Sequence, residues 1–124
     1  MKYKNILQID DDIEDCEFFE QTLKMVSTAS YTSIQNPRLA LHKLISREIT
    51  PDLIFLDVNM PSMSGPELLL ELRKSEHLKN IPVIILSTSP LFSHLKCIVS
   101  DTEQYLIKPN TFNELKSLIL KSIT

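Results

Sequence analysis

Acidic, hydroxyl and amino side chains stand at the ends of four predicted strands. Asp10 and Asp11 follow "NILQI", Asp57 closes "DLIFLD", Ser87 closes "IPVIILS" and Lys108 follows "QYLI". Carboxylates held close together raise one another's pKa unless a cation compensates their charge. Oxygen ligands without a nearby His or Cys favour a hard cation, Mg²⁺ or Mn²⁺. A lysine and a hydroxyl beside them can bind a phosphoryl group, so the set fits acyl-phosphate chemistry with an aspartate nucleophile.

Each of these residues also has a purely structural interpretation. Acids ahead of a helix are often caps, an aspartate at a strand end often forms a turn, and a lysine such as Lys108 is often simply solvated. Their common position favours a site instead. In parallel sheets the ligand site lies at the carboxyl ends of the strands, where all of these side chains are expected.

Two kinds of pattern alternate along the 124 residues. Short strand-like runs are predicted at Asn5–Ile9, Tyr31–Gln35, Asp52–Leu56, Ile81–Leu86 and Gln104–Ile107. Helical patterns are predicted over Ile13–Met25, from Asn36-Pro37, from Gly65-Pro66, over Leu91–Val99 and from Thr111. The third and fourth strands are apolar on consecutive residues, so both of their faces should be buried, as in a parallel sheet covered by helices. Five strand–helix pairs therefore predict an α/β fold with a doubly wound, five-stranded parallel sheet.

Composition excludes several classes of protein. Hydrophobic residues make up 43% and charged residues 23% of the chain, as in an ordinary globular domain. The net charge of −3 gives no basic footprint for nucleic acid. No apolar run is long enough for a membrane span or a signal peptide, so we expect a cytoplasmic protein. Cys16 and Cys97 lack metal-site spacing and are expected to be buried free thiols.

Four motifs together resemble a known family. "ILQIDDD", "PDLIFLDVNMPSMSG", "IPVIILSTS" and "YLIKP" closely resemble the response-regulator receiver domains of two-component signalling, in the order and at the spacing of that family. The resemblance covers the whole chain. It implies a flavodoxin-like (βα)5 fold with strand order 2-1-3-4-5. It also implies that residues 1–124 form one CheY-like receiver domain with no output domain.

The resemblance assigns roles to the predicted site. Asp57 would be the phosphoacceptor, and Lys108 would pair with a phosphoryl oxygen. Asp10 and Asp11 match the acidic pair that holds Mg²⁺ (or Mn²⁺), with Asp10 acting mainly through a metal-bound water. The backbone carbonyl of Asn59 would complete the metal ligands.

Further residues match the switching parts of the family. Ser87 matches the hydroxyl that bonds to the phosphoryl group, and Tyr105 matches an aromatic rotamer switch, although a plain half-buried strand aromatic is the alternative. A cis peptide is expected at Lys108-Pro109. Gly65, the single glycine, is expected to adopt a positive φ.

Other positions are ambiguous or depart from the family. Thr88, where a smaller residue is usual, and the nearby Pro90 put the shape of the phosphoryl pocket in question. Asp12 is expected to cap the first helix or to meet solvent, but only the register of the family separates its role from that of Asp11. Glu14 and Asp15 favour the positive end of that helix and add background negative charge.

These residues lead to one main hypothesis and two alternatives. The main hypothesis is a stand-alone receiver whose Mg²⁺-dependent phosphorylation on Asp57 shifts a conformational equilibrium. The phosphoryl donor would be a sensor histidine kinase or a histidine phosphotransfer protein. The output would be binding of an unidentified protein target or onward transfer of the phosphoryl group. A phosphatase of the haloacid-dehalogenase type is disfavoured because Asn59 stands where its second acid belongs. A receiver-like binding module that is not phosphorylated should lack part of the site, yet every site residue is present.

Overall fold

The computed structural model describes residues 3–87 and 103–124. Its strands are β1 (Asn5–Ile9), β2 (Ser30–Ile34), β3 (Leu53–Asp57), β4 (Val83–Ser87) and β5 (Glu103–Ile107). Its helices are α1 (Ile13–Val26), α2 (Pro37–Ile45), α3 (Gly65–Leu72) and α4 (Phe112–Ile123). The expectations for Thr88, Pro90, Cys97 and a helix over Leu91–Val99 fall outside the described residues.

The five strands form one parallel sheet in the order β2-β1-β3-β4-β5. This confirms the predicted doubly wound α/β fold and its strand order. β3 and β4 end one residue later than predicted, so Asp57 and Ser87 are the last residues of their strands. Across the described ranges, no helix is long and apolar enough to cross a membrane.

The central strands bury both of their faces. In β3, Leu53 and Phe55 belong to the core on the side of α1 and α4, whereas Ile54 and Leu56 belong to the core on the side of α2 and α3. All residues of β4 are buried. The uninterrupted apolar runs thus form strands sandwiched between two helical layers, which is the arrangement of a parallel sheet.

Side-chain caps start the helices that leave the site edge of the sheet. The Asp12 carboxylate accepts hydrogen bonds from the backbone N–H groups of Glu14 (2.9 Å) and Asp15 (3.3 Å) at the start of α1. Ser64 and Glu67 form a reciprocal capping box at the start of α3. Asp12 is therefore the capping acid that the sequence suggested.

Gly65 is required by a close backbone approach. The expected positive φ is wrong, because the glycine does not lie in the left-handed region. Its N–H donates to the Val58 carbonyl at 2.8 Å, and a Cβ added to it would overlap the backbone carbonyl of Asp57. A side chain at this position would push the start of α3 away from the end of β3.

We expect Gly65→Ala to lower the free energy of unfolding by about 1–3 kcal/mol, because the new methyl group meets backbone atoms that cannot rotate away. Urea unfolding followed by circular dichroism measures this. Ser117→Ala, at an exposed position of α4, is the control and should change stability little. Wild-type stability in Gly65→Ala would contradict the steric argument.

Candidate functional site

Asp10 is the buried carboxylate of the site, with only 1% of its surface exposed. It follows β1 directly, and its two carboxylate oxygens have separate partners. One accepts a hydrogen bond from the Asp12 backbone N–H at 3.0 Å, and the other accepts one from Lys108 Nζ at 3.0 Å. Burial raises the pKa of Asp10, and these two hydrogen bonds oppose the rise. The folded chain therefore holds a carboxylate away from water in a fixed orientation.

Three aspartates converge at this edge of the sheet. Carboxylate oxygens of Asp10, Asp11 and Asp57 all lie within 4.8 Å of one another. Asp10 and Asp57 are close because β1 and β3 are neighbours, with Ile9 paired to Leu56 in the parallel ladder. Oxygen-only ligands of this kind suit Mg²⁺ or Mn²⁺. The three acids thus form a candidate cation site, as the sequence predicted.

Burial and the convergence of these acids raise the pKa of Asp57. Burial, followed by repulsion from Asp10, raises the pKa of Asp57 from 3.8 to about 6, although the Lys108 ammonium acts in the opposite direction. Its side chain remains 12% exposed, so a ligand can reach it from solvent. A cation or a covalently attached group at Asp57 would relieve the repulsion between the two carboxylates.

Lys108 joins the acids from the other side of the site. Its backbone N–H donates to the Ser87 carbonyl at 2.6 Å, which fixes the point where the chain leaves β5. Its Nζ lies 2.7 Å from Asp15, 3.0 Å from Asp10 and 3.5 Å from Asp57. Burial alone would lower the pKa of this ammonium, but the carboxylates raise it above its ordinary value. Lys108 is therefore positively charged throughout the physiological range.

The predicted cis peptide at Lys108-Pro109 is wrong. No peptide bond among the described residues is cis. The hydrogen bond from Lys108 to Ser87 directs the chain toward the site, and the long lysine side chain reaches the acids from a trans peptide. The trans form is also the one favoured for an X–Pro bond, by about 0.5–1 kcal/mol.

Asp15 is a site residue that sequence reasoning missed. Within the part of the chain that the structure describes, its contact with Lys108 is the shortest ion pair of that ammonium. The sequence places Asp15 in the first turn of α1, where the helix dipole already explains an acidic residue. No local spacing connects it to Lys108, because the pair forms only where α1 passes the end of β5.

The remaining predicted residues occupy different parts of the site edge. Ser87 is buried at the end of β4, next to the strand that ends in Asp57. Asn59 is exposed in the loop after β3, two positions beyond Asp57. Tyr105 is half-buried in β5 and packs against the core on the side of α2 and α3. The switching role of Ser87 and Tyr105 and the ligand role of Asn59 stay predictions.

Two contacts hold the loop that carries Asn59, one between its two ends and one at Ser62. Gly65 fastens its far end to Val58, as described above. The Arg38 guanidinium, at the start of α2, donates to the Ser62 carbonyl at 3.1 Å. Ser62 itself has a φ of 66°, an unfavourable value for a residue with a side chain. The sequence carried no signal for this support from Arg38.

Comparisons with known proteins agree with this geometry. The model of the response regulator receiver domain family matches residues 6–120. The two-component response regulator ARR17 of Arabidopsis thaliana is 30% identical over 125 residues, covering 92% of this chain and 81% of that protein. ARR15 of the same plant is 28% identical over 124 residues, and this chain spans 60% of its length.

Solved structures of similar fold include metal-bound receivers. The Mn²⁺-bound form of the response regulator Rcp1 has a TM-score of 0.80 and 26% identity, covering 97% of this chain and 94% of that one. TrrA from Thermotoga maritima, in complex with Mg²⁺-BeF, has a TM-score of 0.77 and 32% identity, covering 95% and 97%. Family model, relatives, fold and acidic site all agree, and this chain belongs to the response regulator receiver domain family.

Proposed function

We propose that Asp57 accepts a phosphoryl group from the phosphohistidine of a sensor histidine kinase or of a histidine phosphotransfer protein. Phosphorylation by histidine kinases is the general function of the family. One observation carries the proposal for this chain. Asp57, at the end of β3, lies within 4.8 Å of two further acids and 3.5 Å from the Lys108 ammonium. A nucleophile, a set of cation ligands and a cation for the phosphoryl group therefore stand together.

The proposed transfer uses the side chains of this chain directly. An Asp57 carboxylate oxygen attacks the phosphorus, an O–P bond forms, and the P–N bond breaks as the donor imidazole leaves with a proton. The Lys108 ammonium neutralises a phosphoryl oxygen, and the Ser87 hydroxyl donates a hydrogen bond to another. Water later attacks the phosphorus, the bond between phosphorus and the Asp57 oxygen breaks, and inorganic phosphate leaves while the Asp57 carboxylate is restored. The chain thus acts on its own aspartate and is not proposed to convert a separate small molecule.

A divalent cation fits the acidic side of the site. Asp11 and Asp57 would hold Mg²⁺ or Mn²⁺ directly, Asp10 through a water molecule, and Asn59 through its backbone carbonyl. Such a cation neutralises charge on the phosphoryl oxygens. The all-oxygen donor set and the raised pKa of Asp57 both support this assignment, because an added positive charge offsets the repulsion between Asp10 and Asp57.

The output is proposed to be a change of conformation. The phosphoryl group draws Ser87 toward Asp57, and Tyr105 follows toward the interior. This biases a two-state equilibrium of the surface around β5 and α4. A downstream protein, or a phosphotransfer protein that takes the phosphoryl group onward, would recognise the shifted surface.

The direct test is phosphorylation by acetyl phosphate in the presence of Mg²⁺, followed on a phosphate-affinity gel. We expect the wild type to give a labile retarded band and Asp57→Asn to give none, because an amide cannot form the acyl phosphate. Asp12→Asn is the matched control, since Asn also caps helices and Asp12 lies outside the acidic cluster. Equal labelling of Asp57→Asn and wild type would exclude Asp57 as the acceptor.

A second prediction separates the adjacent aspartates. Asp11→Asn should weaken Mg²⁺ binding by about tenfold or more, because a charged ligand is lost. Asp12→Asn, which removes the same charge one residue later, should change it by less than about threefold. Amide NMR titration with Mg²⁺ measures both. Similar losses of Mg²⁺ affinity in the two variants would contradict the assignment of Asp11, rather than Asp12, as the metal ligand.

A third prediction concerns stability without metal. A raised pKa means that folding binds a proton at Asp57, so its ionisation destabilises the native state as pH rises from about 4 to about 6. In EDTA at pH 7.5, Asp57→Asn should therefore be about 1–3 kcal/mol more stable than wild type. At pH 4.5, where most of the native Asp57 is protonated, the difference should fall to about a third of that value.

Urea unfolding at the two pH values measures this difference. Glu76→Gln is the control, because it removes a carboxylate that is 89% exposed, and it should show no comparable gain. Saturating Mg²⁺ should stabilise the wild type more than Asp57→Asn. If the difference in free energy of unfolding between Asp57→Asn and wild type did not change with pH, ionisation of Asp57 would not be the cause of the destabilisation.

A further inference from the structure

The Lys108 ammonium has three N–H donors, and three carboxylates among the described residues lie near it. The contacts are 2.7 Å to Asp15, 3.0 Å to Asp10 and 3.5 Å to Asp57. The first two are within hydrogen-bond distance, whereas the contact with Asp57 is a long ion pair. The ammonium is therefore bound most closely by the two acids that are not the proposed phosphoacceptor.

Asp15 differs from the other partners of Lys108. Its side chain is 41% exposed, compared with 2% for Asp10 and 12% for Asp57. Among the described residues it does not belong to the group of acids close enough to share a cation. Its backbone is fixed, because its N–H donates to the capping carboxylate of Asp12. Asp15 thus binds the lysine without offering a metal ligand.

A cavity lies beside Lys108 on the side of α1. Asp15 and Lys108 both line a cavity of about 200 Å³ between α1 and the start of α4, whose wall includes neither Asp11 nor Asp57. A lysine side chain carries four methylene groups and reorients readily. The lysine side chain can therefore leave Asp15 without displacing the core, and Asp57 already lies 3.5 Å from its Nζ.

We propose that Asp15 is a positioning residue that holds Lys108 toward α1 in the unphosphorylated protein and so opposes phosphorylation of Asp57. The proposal rests on the proposed function. A phosphoryl group on Asp57 brings new anionic oxygens that require the ammonium, and Lys108 must loosen its contact with Asp15 to reach them. The Asp15–Lys108 ion pair therefore stabilises the resting arrangement relative to the phosphorylated one.

The test uses beryllofluoride, which mimics a phosphoryl group, at saturating Mg²⁺ with detection by amide NMR. Asp15→Asn should bind beryllofluoride about two- to fivefold more tightly than wild type, the range expected for a partly exposed ion pair. Asp15→Glu keeps the carboxylate and should bind like wild type. Glu14→Gln removes the neighbouring acid of the same helical turn and should change binding by less than about twofold.

A crystal structure of metal-free Asp15→Asn gives an independent readout. The distance from Lys108 Nζ to the nearest Asp57 oxygen should shorten from 3.5 Å to a hydrogen bond of about 2.8–3.0 Å. Thermal unfolding verifies that each variant is folded. This position of the ammonium would not change if Asp15 only supported α1.

The outcomes separate this inference from the proposed function. If the wild type fails to bind beryllofluoride, the proposed function itself fails. If the wild type binds but Asp15→Asn binds equally or more weakly, Asp15 does not oppose phosphorylation. If Asp15→Asn and Glu14→Gln tighten binding equally, the effect is one of general charge and the positioning role is wrong. An unchanged Lys108 position in the Asp15→Asn crystal structure also overturns it.

Discussion

The charge balance around Lys108 is the interaction on which the functional edge of this protein depends. A buried Asp10 and a mostly buried Asp57 repel each other, and carboxylates in such surroundings are costly unless a positive charge is near. Lys108 supplies that charge from the end of β5, where its backbone N–H is bonded to Ser87. The compensation is partial, since the pKa of Asp57 is still raised to about 6.

This partial compensation links stability to function. The acids at the ends of β1 and β3 destabilise the protein when they are ionised, and the divalent cation that we propose for this site would offset that cost. The buried core compensates for this electrostatic repulsion. Ile9 and Leu56, which pair with each other and precede the acids in β1 and β3, are fully buried. Functional sites commonly retain unfavourable interactions that the rest of the fold compensates.

In our proposal, the resting state of the site is set by Asp15, which is neither a proposed metal ligand nor the proposed nucleophile. Its position follows from the capped start of α1, and its partner comes from the far end of the sheet. An ion pair across two elements selects one arrangement of Lys108 without adding a ligand. Because Asp15 is partly exposed, we expect the free energy of this ion pair to be small.

The sequence by itself determined the fold class and which side chains meet at the candidate site, because both depend on local patterns. Uninterrupted apolar runs indicate strands buried on two faces, and parallel strands bring Asp10, Asp57 and Lys108 to one edge whatever the details of packing. The tertiary structure decided what local patterns leave open. The contact of Asp15 with Lys108 and the close approach of Gly65 to the Asp57 backbone join segments that no short-range spacing relates. Such contacts depend on how α1, α3 and β5 are placed against one another.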